Sequence, residues 1–380
     1  MQLTKTTLTD IFCRLRITAL MALAVIATGL SSCDAVYDDL EECPRGVVMR
    51  FVFDYNLEFA NAFHSQVDCL SVFIFDADGN KIDYRTETTA VLADENWRMT
   101  FDLPAGKYTA VAYGGMDCDQ SSFEHQIRPS EIKKLSDLEV RTNLSHIGDP
   151  ANSPKSPLHD HFHGMTGFTV TEGTQYDHAT VEMMRNTNNL RIVLQHLDNS
   201  PVDYNNFDFE VTDDNTRFDY ANNVLSHKEV TYTPWSADNA YAGVDGLPSS
   251  SKAEGSRASD VGMPVQVAFA EFSMSRLMAN SGYKWTRSDG EVRQGPRLKI
   301  KDKTDGKIIA DLPLVNYLLL MKSSYFTMDD QEYLDRAYHH NMIFFLDENN
   351  YWVRVHIVVK DWVVRINNVN FGFPGENLDF

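Results

Sequence analysis

The sequence predicts an all-β protein of the sandwich class. Many short segments alternate apolar and polar side chains with a period of two, as strands with one buried face do. Clusters of Gly, Pro, Asn and Asp, which favour turns, separate these segments. The second half of the chain has one clear helical pattern, after Asp329. Short strands with regular turns and almost no helix are typical of β-sandwiches.

An N-terminal leader precedes the strands. Arg14 and Arg16 come before an uncharged apolar run that ends in LSSC at residues 30–33. A charged segment, an apolar segment and small residues are the parts of a secretory signal peptide. The run is shorter than the roughly 20 residues that span a bilayer. LSSC resembles the lipobox of bacterial lipoproteins, which predicts a signal peptide over 1–32 and acylation of Cys33; an ordinary signal peptide or an N-terminal membrane helix are the alternatives.

An acidic tether follows the leader. The whole chain has a formal net charge of −20, which argues against nucleic acid as a partner because phosphate binding needs a basic face. Within residues 33–46, the carboxylates of Asp38, Asp39, Glu41 and Glu42 lie just downstream of Cys33. One interpretation is a solvated linker. The other is a targeting signal, since acidic residues after the cysteine resemble a surface-export signal of Bacteroidales lipoproteins. No later apolar run reaches membrane length, because Pro313 and Asn316 interrupt the longest.

Three cysteines remain after the leader and the acylated residue. They are Cys43, Cys69 and Cys118, an odd number that allows one disulfide and one free thiol outside the cytoplasm. The chain has no CxxC pair, so these cysteines do not predict a zinc site. Cys43–Cys69 is the favoured pairing, and the other pairings stay open.

Two domains are expected, over residues 47–175 and 176–380, because a chain of this length suits two cores of about 150–180 residues each. The strands of the first domain are predicted at Val47–Phe53, Val67–Phe75, Arg98–Leu103, Tyr108–Tyr113, Phe168–Val170 and Ala179–Met184, where the last two finish this domain or open the second. Apolar residues from Leu57 to Val67 recur at helical spacing and predict a short helix or turn. Phe51 and Phe73 are the expected core aromatics.

The second domain continues the same pattern. Its predicted strands are Asn188–Leu197, 207–211, Val265–Met274, Met342–Leu346, Tyr351–Val359 and Trp362–Asn367, with a hairpin over Arg297–Ile309. Residues 236–262 lack periodicity and predict a long exposed loop. Asp329 begins a helix that extends to Ala337.

Two segments resemble metal sites. Asp76, Asp78, Asn80 and Glu87 match four positions of an EF-hand loop, but the glycine of the template is replaced by a lysine and the flanks are strands. A hairpin turn without metal is therefore favoured. His159, His161 and His163 alternate along an extended segment, which would place them on one side. No further ligand can be assigned to them, so a loop with solvated or packed histidines is favoured and no metal is predicted.

Motifs of common enzymes are absent. The chain has no GxSxG, HExxH, GxxxxGK[ST] or GxGxxG, and its abundant carboxylates single out no glycosidase pair. The five tryptophans are spread along the chain, at 97, 235, 285, 352 and 362; the last two lie in apolar strands and are expected in the core. No catalytic residue is predicted, and the chain is expected to bind rather than to catalyse.

Several segments together resemble the FimB/Mfa-type fimbrial anchor family, the pilus-base lipoproteins of Bacteroidales. They include CPRGVVMRFVFDYNLEFANAFHSQVDCLSVFIFDADGN and FDLPAGKYTAVAYGG in the first half, and MMRNTNNLRIVLQ, LPLVNYLLL and QEYLDRAYHHNMIFFLDENNYWVRVHIVVKDWVVRINNVNF in the second. The resemblance implies two transthyretin-like β-sandwich domains in tandem, outer-membrane attachment through Cys33, and tethering of a fimbrial shaft made of pilin subunits. It also implies an influence on fimbrial length and assembly, and no cofactor.

A competing function is a surface glycan-binding lipoprotein of a polysaccharide-uptake system. Such a protein would share the lipid anchor and the β-sandwich design. It would also need exposed aromatic platforms that face one groove.

The C-terminal tail is a candidate donor strand. Pilins resembling this family polymerise by strand exchange, but cutting after Arg45 would sever this chain from its lipid, so the first strand should stay in place. In the tail, Val369, Phe371 and Phe373 alternate with smaller or polar residues, as strand addition to a partner sheet requires. The alternative is that this tail is the last strand of its own sheet.

Overall fold

The computed structural model describes residues 45–148, 153–154, 156–173, 175–242, 265–359 and 362–367. The strands of the first half are β1 (Gly46–Val52), β2 (Cys69–Asp76), β3 (Lys81–Thr88), β4 (Met99–Asp102), β5 (Gly106–Gly114), β6 (Phe123–His125), β7 (Glu139–Thr142), β8 (Phe162–Val170) and β9 (Asp177–Arg185). Those of the second half are β10 (Thr187–His196), β11 (Phe207–Asp213), β12 (Arg217–Asp219), β13 (Val230–Tyr232), β14 (Ser236–Ala242), β15 (Val265–Ser275), β16 (Lys284–Thr286), β17 (Val292–Gln294), β18 (Arg297–Asp302), β19 (Ile308–Pro313), β20 (His339–Leu346), β21 (Trp352–Val359) and β22 (Trp362–Asn367).

In the described ranges four α-helices interrupt the strands: α1 (Phe63–Gln66), α2 (Thr89–Leu92), α3 (Leu314–Tyr325) and α4 (Asp330–Arg336). Single 3-10 turns lie at Leu135–Asp137, Leu144–His146 and Tyr204–Asn206. The predicted all-β class is therefore confirmed, and most of the predicted strands are present within a few residues of their expected bounds.

Seven strands form the N-terminal sheet, in the order β3-β2-β5-β8-β9-β1-β4. Strands β8 and β9 pair only at their adjoining ends, from Phe162 to Gly164. At this corner a Cβ on Gly164 would lie 2.7 Å from the backbone carbonyl oxygen of Glu182, so only glycine fits without a shift of the chain. Side chains of β1, β4 and β9 share one apolar core with inward-facing side chains of β2 and β5, which makes the first half a sandwich.

The C-terminal half repeats this design. A six-stranded sheet, β14-β15-β10-β20-β21-β22, and a four-stranded sheet, β13-β11-β18-β19, contribute to one core. In each half the first strand lies between an antiparallel and a parallel neighbour: β1 between β4 and β9, and β10 between β15 and β20. The two halves are thus built on the same strand pairing.

The boundary between the halves is not a simple linker. Strand β9 pairs with β1, so the N-terminal sheet extends beyond the expected boundary at residue 175 to Arg185. Strand β12 of the second half pairs with β7 of the first, in a small sheet of the order β12-β7-β6. Phe73 and Tyr113 of the first half belong to the same apolar cluster as Leu190 and Phe218 of the second.

The predicted helix after Asp329 is confirmed as α4. The Asp329 carboxylate accepts a hydrogen bond from the backbone N–H of Glu332 at 2.8 Å, which caps the first turn. Helix α3, the longest helix among the described residues, was not predicted. Its buried residues Leu314, Leu318 and Met321 follow helical spacing, and Pro313 lies just before the first turn, where proline is tolerated.

The expected loop over 236–262 is wrong at its start. Residues 236–242 form β14, which pairs along its whole length with β15. Residues 243–264 lie outside the described part of the chain. The Ala, Ser and Asn composition of β14 gives no alternation, so its strand state depends on the partner strand and not on local preference.

Truncation of core aromatics tests this packing. Phe51 stacks on Phe63 and Trp97, and Phe73 packs against Tyr84 at 4.5 Å between ring centroids. We expect Phe51→Ala and Phe73→Ala each to lower the free energy of unfolding by about 3–5 kcal/mol. Chemical denaturation measures the change.

The matched control for this prediction is Ile82→Ala. Its side chain is 48% exposed on β3, so the change should stay within about 0.5 kcal/mol. Wild-type stability of both phenylalanine variants would contradict the packing described here.

Candidate functional site

The residues of the predicted sites fall into two groups. Cys33, Cys43 and the tail residues Val369, Phe371 and Phe373 lie outside the described residues. Cys69, Cys118 and the three alternating histidines lie within them. No helix in the described ranges is both long and apolar enough to cross a bilayer.

The structure corrects the favoured disulfide. Cys69 at the start of β2 is bonded to Cys118, in the loop after β5, with 6.2 Å between their Cα atoms. A sulfur forms one disulfide, so the expected Cys43–Cys69 pairing is wrong. Cys118 lies close because β2 and β5 are neighbours in the sheet, a proximity that spacing along the chain does not reveal. Closing a loop of this length stabilises the fold by roughly 4 kcal/mol in the chain-entropy account.

The acidic turn at residues 76–80 is a β2–β3 hairpin. The Asp76 carboxylate accepts hydrogen bonds from the backbone N–H groups of Asp78 and Asn80 at 2.9 and 2.8 Å, and from the Asn80 side chain at 2.9 Å. These bonds hold the pKa of Asp76 below its ordinary value. The carboxylate that would open a calcium loop is thus engaged in forming the turn.

His159 lies where the loop before β8 meets the end of β5. Its Nε2 is 2.8 Å from Asp68 Oδ2, and its Nδ1 is 3.3 Å from the carbonyl oxygen of Gly115. Gly115 has a φ of +75°, and a Cβ there would lie 1.7 Å from the carbonyl oxygen of Asp160. Glycine at this position therefore lets the loop approach β5 and present His159 to Asp68.

His161 and His163 are buried in the core. The His161 ring stacks on Phe123 at 4.5 Å, and His163 Nε2 contacts the carbonyl oxygen of Tyr220 at 3.0 Å. Burial lowers the pKa of His163 to about 4 and shifts the pKa of His161 well below its ordinary value. These two rings are neutral packing elements at neutral pH.

The three histidines thus have separate partners. In the described ranges, Asp68, Cys69 and Cys118 are the group of three ligand-type residues whose atoms lie within 4.8 Å of one another. Two of those three are joined in the disulfide. The alternation of His159, His161 and His163 therefore does not create a shared ligand set here.

Arg185 connects the two halves. Its buried guanidinium pairs with Asp160, donates to Thr187 Oγ1 at 3.0 Å, and stacks over the Tyr338 ring at 4.5 Å. Burial lowers the pKa of this arginine, and the Asp160 carboxylate opposes that shift. The Tyr338 hydroxyl also accepts a hydrogen bond from Gln66 at 3.5 Å, and the Tyr338 ring lies 6.1 Å from the ring of Phe53 in the first half.

A cleft of about 820 Å³ lies beside this junction. Its lining comes from α1, the loop before β8, and the ends of β9, β10 and β20, with His146, His159 and His339 among the lining residues. A second cavity of about 350 Å³ adjoins it and shares Pro157, Asn189 and His339. Sequence reasoning did not find either cavity, because their residues are far apart in the chain.

Ser122 and His146 form a pair in the larger cleft that the sequence analysis also missed. The Ser122 hydroxyl is 2.8 Å from His146 Nδ1, a distance seen in nucleophile–base pairs. The same hydroxyl accepts from the backbone N–H of His159 at 2.9 Å, and Ser122 is 1% exposed. The pair therefore joins two loops rather than presenting a reactive oxygen.

The chain is similar to fimbrial anchor proteins in both sequence and fold. The sequence profile described as "Fimbrillin-A associated anchor proteins Mfa1 and Mfa2" matches residues 40–368. A curated relative, the minor fimbrium anchoring subunit Mfa2 of Porphyromonas gingivalis, is 31% identical over 103 residues, which are 27% of this chain. The match spans about a third of that relative, 32% of its length.

Solved structures extend the similarity to the whole fold. A candidate adhesin of Bacteroides thetaiotaomicron is 42% identical, with a TM-score of 0.73 over 87% of this chain and 100% of the other. The fimbrial anchor protein Mfa2 of Porphyromonas gingivalis is 16% identical, with a TM-score of 0.58 over 84% of this chain and 99% of the other. At 16% identity the likeness shows the fold alone.

The buried histidines predict acid sensitivity. In the unfolded chain a histidine titrates near 6.5, whereas folded His163 takes up its proton only near pH 4. Between these values the unfolded state binds more protons, so stability falls as the pH falls. We expect a loss of about 1.4 kcal/mol per pH unit from His163. His163→Gln should flatten this slope in denaturation curves from pH 7 to 4, and the exposed control His227→Gln should not.

Asp213 predicts the opposite dependence of folding stability on pH. Burial raises the pKa of this carboxyl from 3.8 to about 7. Between these values the folded state keeps a proton that the unfolded state loses, so the group costs stability as the pH rises. We expect Asp213→Asn to stabilise the protein more at pH 7 than at pH 4, by the same denaturation assay. Equal effects at both pH values would contradict a protonated Asp213.

Proposed function

This chain belongs to the family of fimbrillin-A associated anchor proteins, and from that membership we propose that it anchors a fimbrial shaft to the bacterial outer membrane. The observation that carries the proposal is the family match over residues 40–368, which includes both sandwiches. The proposal extends to an influence on fimbrial length and assembly. The role is structural and needs no cofactor.

Cys33 is the proposed attachment point. It follows an apolar leader and precedes the acidic tether, which ends where β1 begins. Each buried CH₂ of an acyl chain contributes about 0.8 kcal/mol, and two lipid signals already give stable attachment. A triply acylated cysteine would therefore hold the chain in the outer membrane permanently, with the sandwiches exposed at the cell surface.

The proposed partners are fimbrial pilin subunits. The curated relative is named a minor fimbrium anchoring subunit, which supports this class of partner. Strand β1 is paired on both sides, by β4 and β9. The groove that strand exchange would open in a pilin is thus filled by this chain's own strand, so the shaft would be engaged elsewhere.

The tail after β22 is the proposed contact with the shaft. In the described ranges β22 pairs on one side, with β21, and it is the outermost strand of the six-stranded sheet. Val369, Phe371 and Phe373 follow it directly in the sequence. A tail at this position could add to a pilin sheet with its alternating apolar side chains in pockets of the partner.

The lipid anchor has a direct test. Cys33→Ala removes the acylation site, so we expect the protein to leave the outer-membrane fraction and the fimbriae to be shed into the medium. Fractionation with immunoblotting, and electron microscopy of whole cells, measure both effects. Cys43→Ala is the matched control and should leave attachment intact. Sedimentation of Cys33→Ala protein with outer membranes of fimbriated cells would refute the anchor.

The tail is tested by deletion of residues 369–380. We expect a folded, membrane-bound protein that no longer retains fimbriae, because the strand offered to the shaft is absent. Thermal unfolding and counts of cell-attached fimbriae give the two readouts. Full retention of fimbriae would exclude strand donation, and loss of folding would assign the tail to its own sheet.

A further inference from the structure

The smaller junction cavity has the features of a ligand site. Its volume of about 350 Å³ falls within the roughly 300–1,000 Å³ of small-ligand pockets. It is lined by β10, β15 and β20 of the second half and by Pro157 of the first. Because it adjoins the cleft of about 820 Å³, a chain-like ligand could continue from one cavity into the other.

Trp235 supplies an uncommitted aromatic surface in this cavity. It is half-buried, and its backbone N–H donates to the carbonyl oxygen of Glu271 at 2.9 Å, which fixes it beside β15. Within the described ranges its ring makes no stacking or cation–π contact, and its indole N–H makes no hydrogen bond. Trp285, by contrast, is buried, donates to the Gly295 carbonyl at 3.1 Å and lies under Arg297.

Hydrogen-bond donors and acceptors line the cavity together with the Trp235 ring. Arg191 and Glu271 face each other across β10 and β15 at 3.4 Å, both partly exposed. Stacking of Arg191 over Phe269, at 4.8 Å, holds the guanidinium in place. Asn341 also lines the cavity, and its side-chain amide makes no hydrogen bond with a described residue. The cavity therefore offers donors and acceptors next to an aromatic face.

The charge balance selects an uncharged ligand. Glu271 neutralises Arg191, and the chain as a whole carries a formal charge of −20, which disfavours the approach of anions. A pyranose ring has an apolar C–H face that can lie on an indole and hydroxyls that can pair with an amide and a guanidinium. We propose that this cavity binds a neutral hexose oligosaccharide, with Trp235 as the stacking platform and Asn341 as a hydrogen-bonding partner.

This function is separate from anchoring, so its test does not depend on fimbriae. The full chain, in a detergent without a sugar head group, is titrated with maltotriose, cellotriose and triacetylchitotriose. Tryptophan fluorescence and saturation-transfer NMR report binding. We expect at least one of these neutral trisaccharides to bind with a Kd in the millimolar range or below, and trigalacturonic acid not to bind.

Variants locate the site. Trp235→Ala should weaken binding about tenfold, equivalent to about 1.4 kcal/mol, and Asn341→Ala should weaken it severalfold. Trp235→Phe keeps an aromatic face and should retain more affinity than Trp235→Ala. If the alanine variant fails to fold, Trp235→Phe tests the same contact. Tyr241→Ala is the matched control, since Tyr241 is a 65% exposed aromatic on β14 that does not line the cavity.

Three results would overturn the proposal. They are absence of binding by the unmodified protein, preference for the acidic sugar, and unchanged affinity in the Trp235 and Asn341 variants.

Discussion

The burial of strands β2 and β5 on both faces is the constraint on which the rest of the structure depends. Val72 and Ile74 point into the core of the N-terminal sandwich, whereas Phe73 and Phe75 point into the cluster shared with the second half. A strand with apolar side chains on both faces must be covered on both. The first half therefore needs the second half, and the small sheet between them, to bury its outer face.

This shared core explains the chemistry found at the junction. Histidines placed there are desolvated and neutral, as His161 and His163 are. The Arg185 charge is accommodated by Asp160 and by the Tyr338 ring. A buried charge that lost such a partner would be strongly destabilising. The junction is thus held by specific polar pairs among apolar residues, and the larger cavity lies beside the pair of Arg185 and Asp160.

The first and the last described strands differ in their pairing. Strand β1 lies between two hydrogen-bonded neighbours, and the last described strand, β22, is an edge strand of the six-stranded sheet. Strand pairing in both sheets and the shared core connect the first described strand to the last. The Cys69–Cys118 bond adds a covalent link between β2 and the loop after β5.

Local patterns in the sequence predicted more than half of the described strands, several turns and helix α4, because period-two alternation and capping are properties of neighbouring residues. Only tertiary structure decided the state of β14, which lacks alternation and is a strand because β15 lies beside it. The same holds for the Cys69–Cys118 pairing and for the separation of the three histidines, since both depend on which strands become neighbours. The cavity at Trp235 combines residues from positions 157 to 341, and no spacing along the chain encodes that meeting. The sequence by itself determined the all-β class and the strands with clear apolar alternation, whereas the packing of the two halves against each other decided the junction and its candidate site.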